Sequence, residues 1–315
     1  MMGEFDFIAR YFRPLAGKGS FELRNDGAVL SPPIGEELVI SSDTMVENLH
    51  FLPDDPADTV AKKLLRCNLS DLAAMGARPA AYMLNVSVPS GAHYGEAWFA
   101  LFSKGLAEDQ EQYQLSLLGG DTTGSTGPLV LSLTIFGYAP IGKALRRDTA
   151  QPGDEIWVTG TLGDAVLGLY ARKGKLEDPT GALVEAYRLP TPRTGLKLHG
   201  IVHAALDISD GLLQDCGHIA RESGVAVELE AASIPFSQPV KTHLPQWQEE
   251  CLIGGDDYEL LIACSPTQSL ALKKQCDQAH IPLTRIGHVV EGVGVNMRDE
   301  NGHLMQFPRT GWQHF

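Results

Sequence analysis

Six aspartates, each in a short polar or glycine-rich word beside an apolar run, constrain this chain more than any other feature. They are Asp26, Asp43, Asp71, Asp121, Asp207 and Asp210. The words are Asn25-Asp26-Gly27, Ser41-Ser42-Asp43-Thr44, Asn68-Leu69-Ser70-Asp71, Gly119-Gly120-Asp121-Thr122 and Asp207-Ile208-Ser209-Asp210-Gly211. Such positions lie where a strand or helix meets the edge of a core. A carboxylate there needs water, a donor or a cation. At about 4 Å and an effective dielectric near 20, two carboxylates repel by roughly 4 kcal/mol, so gathering them calls for cations. Acidic oxygen donors without matching lysines suit Mg²⁺, which keeps several waters and bridges to phosphates.

A chain of 315 residues accommodates two domains with substantial cores. Hydrophobic content of 43% and charged content of 20% fit an ordinary globular protein. The net charge of -14 argues against a nucleic-acid partner, whose binders rely on basic patches. An anionic ligand stays compatible, because a bound metal reverses the local sign. The five cysteines, Cys67, Cys216, Cys251, Cys264 and Cys276, form no CxxC pair. Reduced thiols are expected, with neither a zinc site nor a disulfide framework. Charged residues Glu4, Asp6, Arg10, Arg13 and Lys18 break up the first twenty positions, so no signal peptide is expected. No apolar run approaches a membrane span, and the cytoplasm is the expected compartment.

The pattern alternates α and β throughout, predicting two mixed α/β domains of α+β type, 1–141 and 142–315. In the first, helices are expected over 4–15, 59–75 (capped by Asp58 and closed by Gly76) and 94–113. On the last of these, Trp98, Leu101, Phe102 and Leu106 are expected to share one side. Strands are expected at 28–30, 37–41, 80–88, 115–118 and 129–138, with Gly119-Gly120-Asp121 ending the fourth. The stripe Val60, Leu64, Asn68, Asp71 and Met75 sets two polar residues into an apolar helix face. A boundary is expected at 142–154, with the basic pair Arg146 and Arg147. Beyond it, strands are expected at 155–159, 226–229, 259–263 and 284–289. Helices are expected at 163–172, 210–222 and 268–279, and 174–195 reads as a polar, proline-bearing stretch.

Each word has a bland reading beside a chemical one. Gly-Gly-Asp is an ordinary turn, or a place where backbone approaches a ligand closely. The hydroxyls around Asp43 either satisfy their own loop or contact metal and phosphate. Asp207, Ser209 and Asp210 either cap a helix or receive an anion at its start. The absence of GxxxxGK followed by Ser or Thr argues against a P-loop ATPase, and the absence of HRD and DFG against a protein kinase. Gly160-Thr161-Leu162-Gly163 lacks the full GxGxxG and reads as a structural turn.

Together the words resemble the thiamine-monophosphate kinase family of the aminoimidazole-ribonucleotide synthetase-like superfamily. The resemblance spans nearly the whole chain. It starts at Gly3-Glu4-Phe5 and Ile8-Ala9-Arg10-Tyr11-Phe12 and runs on through Ser42-Asp43-Thr44-Met45-Val46, His50-Phe51 and Asn68–Gly76. Gly119–Thr123, Asp207–Leu212, Gly254-Gly255-Asp256-Asp257-Tyr258-Glu259-Leu260 and Gly311-Trp312-Gln313-His314-Phe315 complete it. It implies ATP-dependent phosphorylation of thiamine phosphate to thiamine diphosphate, the last step in making that compound. The implied architecture has an amino-terminal sheet used for homodimerisation and an active site between the domains.

By position, the resemblance gives Asp26, Ser41, Ser42, Asp43, Asp71, Asp121, Asp207 and Asp210 to several Mg²⁺ ions, with Asp71, Asp121 and Asp210 central to catalysis. It gives Gly120, Asp121, Arg147 and Ser209 to ATP, and His50, Asp256 and Trp312 to thiamine phosphate. Three departures stand out. Arg24-Asn25-Asp26 replaces the usual Gly-Asp-Asp, Ser42 replaces Thr, and Asp256 replaces Glu. Selenophosphate synthetase would carry a reactive amino-terminal Cys, yet no Cys precedes Cys67. A hydrogenase-maturation relative would end in Cys, and this chain ends in Phe315. Aminoimidazole-ribonucleotide synthetase fits the Gly-Trp-Gln-His-Phe ending and the Asn-Leu-Ser-Asp word less well. A non-catalytic Mg-nucleotide sensor is the alternative of a different class, motivated by Asn25 and Asp256.

Overall fold

The computed structural model describes residues 4–90 and 94–312. Gly3 and the terminal Gln313-His314-Phe315 of two family words lie outside them. The chain divides into two compact units, one of Met1–Leu72 with Ala77–Gly142 and one of Ala73–Gly76 with Lys143–Phe315.

In the first unit, α1 (Glu4–Tyr11) precedes β1 (Glu36–Val46), α2 (Ala57–Ala74), β2 (Arg78–Pro89), α3 (Glu96–Tyr113), β3 (Ser116–Ser125) and β4 (Val130–Pro140). The sheet order is β1-β4-β2-β3, so β1 and β3 are its edges. β4 pairs antiparallel with β1 and β2, while β2 and β3 run parallel, as strands joined through a helix can. Period-two burial sets the faces. Val39, Met45, Leu84, Val86, Leu131, Leu133 and Ile135 are buried on one side, whereas Ile40, Ser42, Thr44, Met83 and Asn85 are exposed on the other. Leu64, Leu65, Leu69 and Leu72 of α2 are fully buried, each contributing about 1.5–3 kcal/mol relative to exposure.

Several expectations for this unit fail. Residues 28–30 form no strand. Asp58 lies inside the first turn of α2, where its charge complements the helix dipole, and does not precede the helix as a cap. Leu101 faces solvent, and Phe99 takes the buried place beside Phe102 and Leu106.

The second unit contains β5 (Glu155–Thr159), α4 (Asp164–Arg172), α5 (Ala182–Arg188), β6 (Ala204–Asp207), α6 (Leu212–Ser223) and β7 (Ala226–Glu230). After these come α7 (Gln238–Lys241), α8 (Gln248–Ile253), β8 (Leu260–Cys264), α9 (Ser269–Gln278), β9 (Leu283–Val290) and β10 (Gly294–Arg298). Its six-stranded sheet has the order β10-β7-β9-β5-β8-β6; β5, β8 and β6 are buried on both faces, while Arg285 and His288 of β9 and Arg298 of β10 are exposed. Ile156 and Val158 of β5 pack with Cys216 and Ile219 of α6, while Trp157 between them packs with Leu272 and Cys276 of α9. That double burial explains why β5, β6 and β8 are near-continuous apolar runs.

Candidate active site

The acidic words gather in three places. The first lies between β1 and α2. Alternation along β1 points Ser41 and Asp43 to the side of buried Val39 and Met45, toward α2. Asn68, fully buried, donates to Leu64 O at 2.9 Å and accepts the Asp43 N–H at 3.1 Å. Three residues on, Asp71 accepts the Ser41 hydroxyl at 2.6 Å. The helical spacing of Asn68 and Asp71 thus fixes both members of the Ser41/Asp43 pair. Ser42 points the other way, its hydroxyl donating to Leu133 O at 3.0 Å and lying 3.1 Å from the Thr134 hydroxyl. The structure therefore separates the Ser42 side chain from Ser41, Asp43 and Asp71. His50 follows the strand. Its Nδ1 accepts the Val46 N–H at 3.0 Å, and its carbonyl accepts from buried Lys63 at 3.1 Å.

The second place is a cleft of about 250 Å³ lined by Asn25, Asp26, Gly27 and Ala28 on one side and Gly119, Gly120, Asp121 and Thr122 of β3 on the other. Ile8, Phe12, Leu23 and Leu117 give it an apolar part. Gly120 has φ +151°, and a Cβ there would stand 1.7 Å from Leu84 O, so this backbone admits glycine alone. Gly-Gly-Asp does not end the strand as expected; β3 continues through it to Ser125 against β2. Asp26 and Asp121 are both exposed, and one Asp121 oxygen accepts the Thr122 N–H at 2.9 Å.

The register places Thr44, Ser132, Asn85 and Asp121 in one row across the sheet. Asp43 and Asp121 thus sit on opposite edge strands, three spacings or roughly 14 Å apart. A single chain does not bring these two words together.

The third place belongs to the second unit. Asp207 ends β6 buried, and Ser209 and Asp210 form the turn before α6. Two loops are zipped there: Asp256 N donates to Ser209 O at 2.9 Å, Tyr258 N to Ile208 O at 2.8 Å, and Ile208 N to Glu259 O at 2.8 Å. Asp256 (φ +73°) and Tyr258 (φ +51°) both adopt the left-handed region, a strain that non-glycine residues hold where surroundings over-determine them. Tyr258 donates its hydroxyl to Asp256 at 3.2 Å. Trp312, 42% exposed, docks by its backbone, donating to Asp210 O at 3.0 Å. Asp207, Ser209, Asp210, Asp256 and Trp312 are therefore neighbours. Arg147 is exposed at the other end of α6, its carbonyl accepting from Ser223 at 3.1 Å.

Residues not singled out from the sequence hold this site. Asp215 is buried and accepts the N–H groups of Asp210 and Gly211, each at 3.1 Å. Burial pushes its carboxyl up to about 7. Its spacing, one turn beyond Asp210–Gly211 on a helix that opens with an acidic word, was the available signal. His218 brings a ring nitrogen within 4.8 Å of Asp210 and Asp215 oxygens, and burial first, then Arg221 and Arg147, hold its pKa down. Asp257 accepts the Gly163 N–H with both oxygens at 3.0 Å, bracing the start of α4. Burial raises its pKa well above the usual carboxylate range.

The donor set across the three places is mainly carboxylate, hydroxyl and carbonyl oxygen, with one imidazole nitrogen, that of His218, beside Asp210 and Asp215; the five cysteines are buried elsewhere. A set so rich in oxygen donors suits Mg²⁺. Among the described residues, no helix is long and apolar enough to cross a membrane.

Residues 24–139 match the AIR synthase related protein N-terminal domain, and residues 151–300 match the corresponding C-terminal domain. A thiamine-monophosphate kinase of Caulobacter vibrioides is 43% identical over 99% of this chain and 90% of its own length. The crystal structure of thiamine-monophosphate kinase from Stenotrophomonas maltophilia covers 90% of this chain and 91% of its own, at 41% identity and TM-score 0.81. AaThiL complexed with AMPPCP and TMP covers 100% of this chain and 97% of its own, at 28% identity and TM-score 0.78. The chain belongs to the AIR synthase related proteins and, within them, to the thiamine-monophosphate kinase family.

Proposed function

We propose that this chain phosphorylates thiamine monophosphate, transferring the γ-phosphoryl group of ATP in line to the substrate's phosphate and releasing thiamine diphosphate and ADP. The observation that carries this reading is the gathering of Asp207, Ser209, Asp210, Asp256 and Trp312 around two zipped loops, in a chain matched to a thiamine-monophosphate kinase over 99% of its length. The acceptor phosphate is already an anionic nucleophile, so the reaction needs positioning and charge neutralisation more than a strong base. Asp26, Ser41, Asp43, Asp71, Asp121, Asp207 and Asp210 would hold Mg²⁺, Ser42 contributing through its backbone, and ions held there would supply charge neutralisation for the facing phosphates. Glycine at 120 lets backbone N–H groups approach a phosphate closely, and the neighbouring cleft receives the nucleotide. The exposed Trp312 ring offers a stacking face to thiamine.

The reading includes a homodimer. Ile40 at 54% and Met83 at 38% exposure, among hydroxyl and amide side chains, form an outer sheet face suited to a second copy. Two copies sharing that face bring acidic words from opposite edge strands into one site.

The deciding assay incubates the protein with MgATP and thiamine monophosphate and follows both products by chromatography. Equal formation of thiamine diphosphate and ADP, abolished by EDTA, is the expected result. ADP without thiamine diphosphate would move the acceptor elsewhere. Neither product, with ATP still bound, would favour the nucleotide sensor.

A further inference from the structure

We propose that Gln214 is a positioning residue that clasps Trp312 onto the Asp210 loop and thereby sets where the thiamine ring is received. This rests on the assignment of Trp312 to thiamine above.

Gln214 is the third residue of α6. Its amide nitrogen donates to Asp210 Oδ2 at 2.8 Å and to the Trp312 carbonyl at 2.9 Å. The Trp312 N–H in turn donates to the Asp210 carbonyl at 3.0 Å. Three hydrogen bonds thus close a ring through Asp210, Gln214 and Trp312. Both Gln214 partners are oxygen acceptors, so chemistry alone fixes the amide with its NH₂ toward them. The fit is tight: a Cβ on Gly311 would lie 2.5 Å from Gln214 Cβ and 2.8 Å from Asp210 O.

The ring ties two functions. Asp210 Oδ2 is oriented by Gln214, which leaves Oδ1 for a cation, and the same NH₂ fixes the backbone that carries the substrate-facing indole. Glutamine is the side chain of this length that supplies two protons without charge. Glutamate, equal in size, supplies none and sets a second carboxylate against Asp210.

The test uses full-length wild type, Gln214→Glu, Gln214→Ala, Trp312→Ala and the Gln214→Glu/Trp312→Ala double variant. KM for thiamine monophosphate is measured at saturating MgATP, and exchange of the Trp312 amide is followed by mass spectrometry on a carboxy-terminal peptide. Expected is a KM raised about tenfold by Gln214→Glu with Trp312 present and under twofold with Trp312→Ala, together with about tenfold faster amide exchange. Equal KM effects in both backgrounds overturn the proposal. So does a wild-type KM in Gln214→Glu, because packing alone would then suffice. Unchanged amide exchange in both Gln214 variants overturns the clasp whatever the kinetics. A wild-type KM in Trp312→Ala removes the thiamine assignment, and the exchange result alone then upholds or overturns the clasp.

Discussion

Asp71 shows how one side chain serves structure and chemistry with separable parts. Its Oδ2 accepts the Ser41 hydroxyl at 2.6 Å, a bond that an asparagine oxygen also accepts. Asp71→Asn should therefore fold with a melting temperature near wild type while losing the charge that holds a cation. Turnover is expected to drop on the order of 100-fold, comparable to removing one electrostatic stabiliser from an active site. A steady-state assay beside a thermal melt checks both halves, and near-normal turnover would remove Asp71 from the metal set. At this scale the acidic words were legible because carboxylates beside apolar runs are costly and short glycine and hydroxyl words are rare company for them. The direction of each side chain was less so. Ser41 and Ser42 read as equivalent in sequence, yet strand alternation sends one to Asp71 and the other to the neighbouring strand.

At the scale of the element, α6 organises its own entrance. Asp215 holds the Asp210 and Gly211 N–H groups from within the helix, and burial raises its pKa to about 7 against about 3.9 when unfolded. The folded chain therefore keeps a proton that the unfolded chain releases, so this group makes stability fall as pH rises from about 4 to about 7. In metal-free buffer the urea midpoint of wild type should drop between pH 5 and pH 7.5 by more than that of Asp215→Asn, whose amide oxygen accepts without charge. Parallel curves for the two proteins would refute this.

Most elements of both units follow from their apolar periodicity. Where the reading failed, tertiary partners overrode local composition. Gly-Gly-Asp looks like a strand end, but β2 pairs with it residue by residue, Leu84 with Gly120 and Asn85 with Asp121, and carries β3 to Ser125. The stretch 174–195 reads as a polar loop, yet α5 forms there because Leu183 and Tyr187, one turn apart, are both buried. Gln214 was hidden for a different reason. An uncharged amide gives no signal in sequence until its two acceptors, one nearly a hundred residues on, are placed beside it.

For the whole molecule, the separation of Asp43 and Asp121 on opposite edges carries a prediction. Chains bearing Asp43→Asn and Asp121→Asn should each be inactive alone. If the site is shared between copies, mixing the two should restore activity, since one of the two sites in a mixed dimer is then intact and about half of the mixed-dimer sites work. Refolding the two variants together and assaying thiamine diphosphate tests this. Activity no greater than the sum of the separate variants would mean that each chain completes its own site.

β1 carries two interleaved scripts. Odd positions from Val39 to Met45 face α2 and hold Ser41 and Asp43, while even positions put Ile40, Ser42 and Thr44 outside. A point substitution can spoil one script and spare the other. Deleting a single residue between Glu36 and Val39 would instead slide every later side chain to the wrong side of the sheet, turning the acid outward and the isoleucine inward together. Lineages of this protein should therefore tolerate spelling changes along β1 while keeping its length fixed, and gaps in it should be rarer than its sequence variety alone would suggest.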